Sequence, residues 1–352
     1  MDKKVRCGVI GVGQIGLAHI ESFKKHPQAE VVALAELNPQ RRRNAAEKHK
    51  ISKAVEDYRE LLKDKSIDVI SVALPNYLHE KVTVAALKAG KHVLCDKPMA
   101  TSAREAQRMV DAWKEMKTVF MVGMNFRFNR ETQMVREYVK NGTLGEVYHT
   151  RAHWLRRSGI PRIGSWFTQK KYAAGGCCYD IGVHLLDCAL HCMGNFDAEC
   201  VSGQVYAKFG PRGQGNGTWG MGEIDPRLPF DVEDLAVAMI KLKGGKTAVL
   251  EISWAIQADG GKDHGVDFYG TEAGASLFPA QILRVRENGS IYETITPDMR
   301  SLPVPEDRMV HFIDCVVKGI PPLVKPEESL KVQKILDGIY ESSKTGKEVR
   351  IH

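Results

Sequence analysis

No apolar run in this sequence approaches the ~18 residues that a membrane-spanning helix needs, and the chain moves directly into a strand without a leader pattern. The resulting expectation is a cytoplasmic protein with no membrane partner. Basic side chains are not blocked together. Apart from Arg41-Arg42-Arg43 they alternate with acidic ones, 50 against 43 for a net charge of +7, so a nucleic-acid footprint is missing. CxxC and HExxH spacings are absent too. His184, Asp187, Cys188, His191 and Cys192 do share one helical stretch, but one rigid helix rarely surrounds a metal, and no metal is expected. Without secretion, the eight cysteines read as reduced thiols. The N-x-S/T strings at Asn141, Asn216 and Asn288 then read as turns.

What is present is a soluble globular composition, 43% apolar and 26% charged, in a chain of 352 residues, long enough for two domains. Residues 5–10 form a short β-branched run of the kind buried in parallel sheets. Gly11-Val12-Gly13-Gln14-Ile15-Gly16 follows at once and opens a helix. Between a strand and a helix, G-x-G-x-x-G is a dinucleotide fingerprint, although glycines also serve as plain turn punctuation. The first glycine permits the tight turn, the second lets backbone approach a pyrophosphate, and the third allows close helix–strand packing. The amides around Gln14 and Ile15, at the helix N-terminus, favour the phosphates.

A second strand over 30–35 ends at Glu36, twenty residues past Gly16. An acidic residue there binds adenosine ribose hydroxyls and repels a 2′-phosphate, so NAD is the expected cofactor. The arginines at 41–43 leave NADP as the alternative. Strands at 68–74, 92–95 and 119–122 alternate with helices near 57–63, up to 89 and over 102–117. This rhythm predicts a doubly wound α/β Rossmann domain over residues 1–123. Ligands bind at the carboxyl ends of such strands, which singles out Leu74, Pro75, Asn76 and His79, and then Asp96 with Lys97. Lys97 lies where its ammonium would polarise a substrate oxygen. A surface lysine before a turn proline has the same local sequence.

After residue 123 the rhythm changes. Residues 124–352 predict an α+β domain with a large, mostly antiparallel open sheet. Its expected strands lie at 146–154, 199–208, 235–242, 247–255, 265–270, 275–278, 283–287 and 292–295, with hairpin turns at 243–246 and 287–290. The loop 156–174 carries Trp166 among Arg156, Arg157, Arg162, Lys170 and Lys171, a flat ring and donors suited to a sugar, neutral or anionic. A solvated basic loop with one buried Trp reads identically. Residues 209–231 lack periodicity, as lids and disordered loops both do. Residues 175–187, G-G-C-C-Y-D-I-G-V-H-L-L-D, place Asp180 and His184 four apart and so on one helical face. A carboxylate beside an imidazole suits acid–base chemistry, while an ordinary helix start with an acidic first turn would look alike.

Five motifs, in order, carry a resemblance: G-V-G-Q-I-G at 11–16, P-N-Y-L-H at 75–79, D-K-P at 96–98, N-F-R-F at 125–128 and the string at 175–187. With them the chain resembles the Gfo/Idh/MocA family of sugar and inositol oxidoreductases. Two departures are Asp96, where the family usually has Glu, and Cys177, where it often has a third glycine. The resemblance implies Lys97, Asp180 and His184 as catalytic residues and a cis Lys97–Pro98 peptide. It adds Asn125 to the cofactor contacts, and Arg127, with Trp166, to the substrate contacts. It further implies an NAD-dependent dehydrogenase acting on a sugar, inositol or related polyol, His184 being the base and Lys97 stabilising the alkoxide. The alternatives are a glycoside-cleaving enzyme of the same fold working through transient sugar oxidation, and a non-catalytic dinucleotide and sugar sensor. A homodimer or homotetramer through the C-terminal sheet is the expected assembly.

Overall fold

The computed structural model describes residues 4–220, 223–258, 262–285, 289, 292–299 and 307–352. They form two compact units. The first holds Met1–Met124, Gly220–Gly222 and Asp307–Leu330; the second holds Asn125–Trp219, Glu223–Glu306 and Lys331–His352. Residues 307–330, placed by the sequence reading with the C-terminal domain, therefore fold with the N-terminal one.

The first unit is built on six parallel strands: β1 (Val5–Ile10), β2 (Ala29–Ala35), β3 (Lys53–Val55), β4 (Val69–Val72), β5 (His92–Cys95) and β6 (Phe120–Val122). Their order is β3-β2-β1-β4-β5-β6, the doubly wound arrangement. Helices α1 (Gln14–Phe23), α2 (Pro39–His49), α3 (Arg59–Lys63), α4 (His79–Lys88) and α5 (Ala103–Lys114) connect them. The central strands are buried because they are mostly apolar: Cys7, Val9, Val69, Ile70, Val72, Val93 and Leu94 have no exposed surface. β3 is absent from the sequence reading. At three half-buried residues it carries no apolar run to find.

The second unit begins with α6 (Arg130–Lys140) and β7 (Val147–Arg156), then β8 (Ile160–Pro161), α7 (Lys170–Ala173), α8 (Val183–Met193), β9 (Ala198–Tyr206) and β10 (Asn216–Gly217). β11 (Leu235–Leu242), β12 (Lys246–Ser253), β13 (Lys262–Gly270), β14 (Gly274–Leu277), β15 (Gln281–Val285) and β16 (Tyr292–Ile295) follow. Helix α9 (Arg308–Lys318), which belongs to the first unit, and α10 (Pro326–Thr345) precede the last strand, β17 (Val349–Arg350). Nine strands make one sheet in the order β16-β15-β14-β13-β7-β12-β11-β9-β17, antiparallel except where β12 runs parallel to β7.

Alternation decides the faces of that sheet. Ala236, Ala238, Ile240 and Leu242 are buried on one side, whereas Met239 and Lys241 between them are exposed on the other. Tyr206, Tyr269 and Leu283 share the exposed face. The β11–β12 turn at 243–246 forms as expected, with Gly244 and Gly245 at positive φ. The turn at 287–290 lies, apart from Gly289, outside the described residues. The glycine-rich stretch after Phe209 is held to the loop before it. β10 pairs with β8, the Asp225 N–H donates to the Gly164 carbonyl, and the Asp231 N–H donates to the Thr168 carbonyl. No helix among the described residues is long and apolar enough to cross a membrane.

Candidate active site

In the first unit, β1 ends at Ile10 and Gly11 turns the chain at φ +85°, a conformation that side chains rarely adopt. A side chain at Gly16 would collide with the Gly11 carbonyl, so α1 sits tight against the loop. A side chain at Gly13, in contrast, would meet nothing within 4 Å. α1 begins at the exposed Gln14 and half-buried Ile15, with no side-chain cap and no acidic residue in its first turn. Its leading amides are left for an anion. Glu36 closes the far side of this loop: its carboxylate accepts the Val12 N–H and the Asn38 N–H, both at 3.0 Å. An open glycine, an uncapped helix start and an anchored carboxylate fit a dinucleotide whose ribose carries free hydroxyls.

Beyond β4, half-buried Leu74 and Pro75 lead to buried Asn76 and to His79, which is 1% exposed. His79 bridges two loops, with Nδ1 2.7 Å from the Pro98 carbonyl oxygen and Nε2 2.7 Å from the Leu74 carbonyl oxygen. Both partners only accept, so both nitrogens donate and the ring is an imidazolium. Burial opposes that charge, but Cys95, the Pro98 carbonyl and Asp96 outweigh it and push the pKa up to about 9. The Lys97–Pro98 peptide is cis. Lys97 is half-buried, and Asp96 beside it is buried.

Asp96 pairs with Arg308 of α9 at 3.1 Å and stands 3.8 Å from His19. Burial alone would raise its pKa, yet Arg308, His19, Lys97 and His79 hold it below the usual carboxylate value. His19 stays neutral, pushed to about 3 by burial and by Arg308. Its Nε2 accepts from Arg308 at 2.9 Å and its Nδ1 donates to Ser71 Oγ at 2.8 Å. Arg308 also donates to the Gly123 carbonyl. The strand-end residues before Lys97 are thus fixed by a guanidinium arriving from far along the chain.

In the second unit, the turn before α8 is held by Glu233. Its buried carboxylate accepts the Gly176 N–H at 2.8 Å, the Cys178 N–H at 2.9 Å and the Tyr340 hydroxyl at 2.7 Å. A side chain at Gly176 would strike the Glu233 backbone carbonyl, which is why the turn needs glycine. Burial pushes the Glu233 pKa up in spite of its three donors. Cys177, at the position of the third family glycine, is buried and donates to the Ile252 carbonyl at 3.4 Å.

Residues Cys178–Gly182 are not the start of an α-helix, as their spacing suggested, but a π-helical turn. The Val183 N–H bonds the Cys178 carbonyl five residues back, and α8 proper begins at Val183. Such turns recur at functional sites. Asp180 is 8% exposed and accepts the Trp254 indole N–H at 2.9 Å. The half-buried His184 ring stacks on Phe126, with centroids 5.1 Å apart. Phe126 also lies 5.9 Å from Trp154, and Trp154 4.8 Å from His264.

Other expected site residues fall elsewhere. Arg127 is fully buried and spends its guanidinium on Asp187, at 2.8 and 2.6 Å. The substrate role expected for it is corrected: it ties the turn Asn125–Phe128 to α8. Asn125, one residue before Phe126, is exposed. Trp166 stacks on Phe167, which meets Trp219 edge-on, a separate aromatic group. Cys188, His191 and Cys192 face α6 through Thr132, Gln133 and Arg136.

Residues 5–124 match an oxidoreductase family with an NAD-binding Rossmann fold, and residues 132–276 match the GFO/IDH/MocA C-terminal domain. The D-glucoside 3-dehydrogenase of Escherichia coli (strain K12) is 33% identical over 356 residues, covering 99% of this chain and 97% of that protein. The chain belongs to the Gfo/Idh/MocA family. A second family relative, the levoglucosan dehydrogenase of Pseudarthrobacter phenanthrenivorans, is 30% identical over 263 residues, 71% of this chain and 67% of its own. A solved levoglucosan dehydrogenase, in complex with NADH and L-sorbose, shares the fold with a TM-score of 0.86 at 23% identity, covering 99% of both chains. As a family member this chain is an NAD-binding oxidoreductase.

The charged bridge at His79 has a pH signature. Its folded pKa of about 9 exceeds the ordinary 6.5, so its stabilisation is full below pH 6.5 and is lost as pH rises through about 9. The expected result in urea unfolding is a stability gap between wild type and His79→Gln that narrows across this window. Its slope is up to about 1.4 kcal/mol per pH unit. Parallel stability curves from pH 6 to 9.5 would contradict the imidazolium.

Proposed function

We propose that this protein oxidises a secondary alcohol of a sugar, inositol or related polyol, with NAD as acceptor. The observation that carries the reading is Asp180, buried and fixed by the Trp254 indole, one turn before a half-buried imidazole, His184. A carboxylate held there keeps its charge direction constant while the imidazole changes protonation. The relatives' names point the same way, since one acts on D-glucosides and the other on levoglucosan.

In this reading His184 takes the hydroxyl proton. The Lys97 ammonium donates to the same oxygen and offsets its growing negative charge. Asp180 orients the imidazole or accepts a neighbouring substrate hydroxyl. Bound NAD supplies the nicotinamide carbon that accepts the carbinol hydrogen with its electron pair. Glu36 holds the loop at Val12 and disfavours a 2′-phosphate, which selects NAD over NADP.

The test follows reduced-nicotinamide absorbance across inositols, sugars and glycosides with NAD and NADP in parallel. Turnover with NAD is expected on at least one polyol, and His184→Ala is expected to lower it at least about a hundredfold with NAD binding intact. Wild-type turnover in that variant would remove the base assignment. Aglycone release without net NADH would move the reading to glycoside cleavage.

The same reading includes self-association through the uncovered face of the nine-stranded sheet, where Tyr206, Met239, Tyr269 and Leu283 are exposed. Light scattering at micromolar concentration is expected to report a dimer or tetramer, and a monomer would refute this assembly.

A further inference from the structure

One half-buried guanidinium in the second unit has no carboxylate partner among the described residues. Arg127, Arg151 and Arg308 each meet a carboxylate, Asp187, Glu251 and Asp96 respectively. The Arg156 side chain is half-buried, yet among the described residues no carboxylate lies within 4.0 Å of it and its guanidinium makes no hydrogen bond. It lies instead over the Trp154 ring, with Cζ 4.2 Å from the centroid.

Its position is built rather than incidental. Trp154 and Arg156 are two apart on β7 and project to the side where Thr150 and Ala152 are buried, the side α8 covers. Ser253 grips the Arg156 backbone from both directions: the Arg156 N–H donates to Ser253 Oγ at 3.1 Å, and that hydroxyl donates to the Arg156 carbonyl at 3.2 Å. A side chain at Gly159 would press on Arg156 Cδ, so the glycine leaves the room that the arginine occupies. From Trp154 the ring contacts continue through Phe126 to His184. Burial lowers the Arg156 pKa, with Asp180 and Cys177 acting against that from a distance.

A guanidinium taken partly out of water without a counter-charge is unfavourable until an anion arrives. Stacking on the indole uses the guanidinium face and leaves its N–H edges, which match a carboxylate or phosphate with two oxygens in one plane. The geometry points to Arg156 as the recognition group for an anionic substituent on the substrate, so that the preferred substrate is an acidic or phosphorylated sugar. This inference rests on the oxidoreductase reading above for the sugar, and on Arg156 and Trp154 for the charge.

The experiment pairs neutral hexosides with their uronide and sugar-phosphate counterparts and compares kcat/KM in wild type, Arg156→Gln and Arg156→Lys. Calorimetric titration of the NAD-loaded protein with the same compounds runs beside it. Wild type is expected to favour at least one anionic member by about tenfold or more, the scale of one charge-assisted hydrogen bond. The uronide and phosphate arms show which anion is taken. Arg156→Gln should abolish that ratio, and Arg156→Lys, which keeps the charge without the planar fork, should retain part of it. A wild-type preference for the neutral partner, or the same ratio in Arg156→Gln, would overturn the inference. Should none of the compounds turn over, the oxidoreductase reading fails, and calorimetry still decides this one. Tighter binding of the anion in wild type but not in Arg156→Gln supports it, and equal binding refutes it.

Discussion

The site in the second unit depends on one buried carboxylate. Glu233 takes two backbone N–H groups of the turn at 176–178 and the Tyr340 hydroxyl, and by doing so sets where the π-helical turn starts. Hydrogen bonds to a charged group contribute roughly 1.5–3 kcal/mol each, and a buried carboxylate left short of donors costs more than an ordinary lost contact. The turn therefore has little freedom to shift along the chain. Asp180 follows from it, and the Trp254 indole then fixes which way that carboxylate faces. Trp254 is itself tied to the Glu233 segment, because its N–H donates to the Asp234 carbonyl at 2.8 Å. One short segment, 233–234, thus supports both the turn and the indole that orients Asp180.

The first unit solves a similar problem with cations. Lys97 follows a buried aspartate, and that aspartate is tolerated because Arg308 reaches it. His79 adds a second positive group that spans the Leu74 and Pro98 carbonyls. The neutral His19 completes the arrangement by accepting from Arg308 and donating to Ser71. Two histidines in one small region thereby hold opposite protonation states. Burial disfavours the charge on both; Cys95, the Pro98 carbonyl and Asp96 overcome it at His79, whereas the Arg308 guanidinium adds to it at His19. Such divergence is a common mark of functional regions.

Much of this was legible because it is local. The strand before Gly11, the glycine spacing and Glu36 at the second strand end all sit in short windows where residue type fixes backbone behaviour. What was not legible acts across the chain. Glu233, Trp254 and Arg308 have no local pattern, since each matters only through the residue it meets in the folded unit. β3 is too short for periodicity to show. The π-helical turn has an α-helical sequence and is set by Glu233, far downstream. Arg127 carried the opposite error: its motif was visible, but its burial with Asp187 was not. The folding of residues 307–330 with the Rossmann sheet has the same origin, because the Asp307 cap and Arg308 make contacts that composition cannot reveal.

The central claim is that the carbinol hydrogen leaves the substrate with its electron pair while His184 takes only the hydroxyl proton. A sugar carrying deuterium at the oxidised carbon tests this most directly, with the reduced cofactor isolated after one turnover and its isotope content read by mass spectrometry. The account predicts one deuterium in the reduced nicotinamide and none released to water. Deuterium washed into solvent, with the cofactor unlabelled, would contradict it.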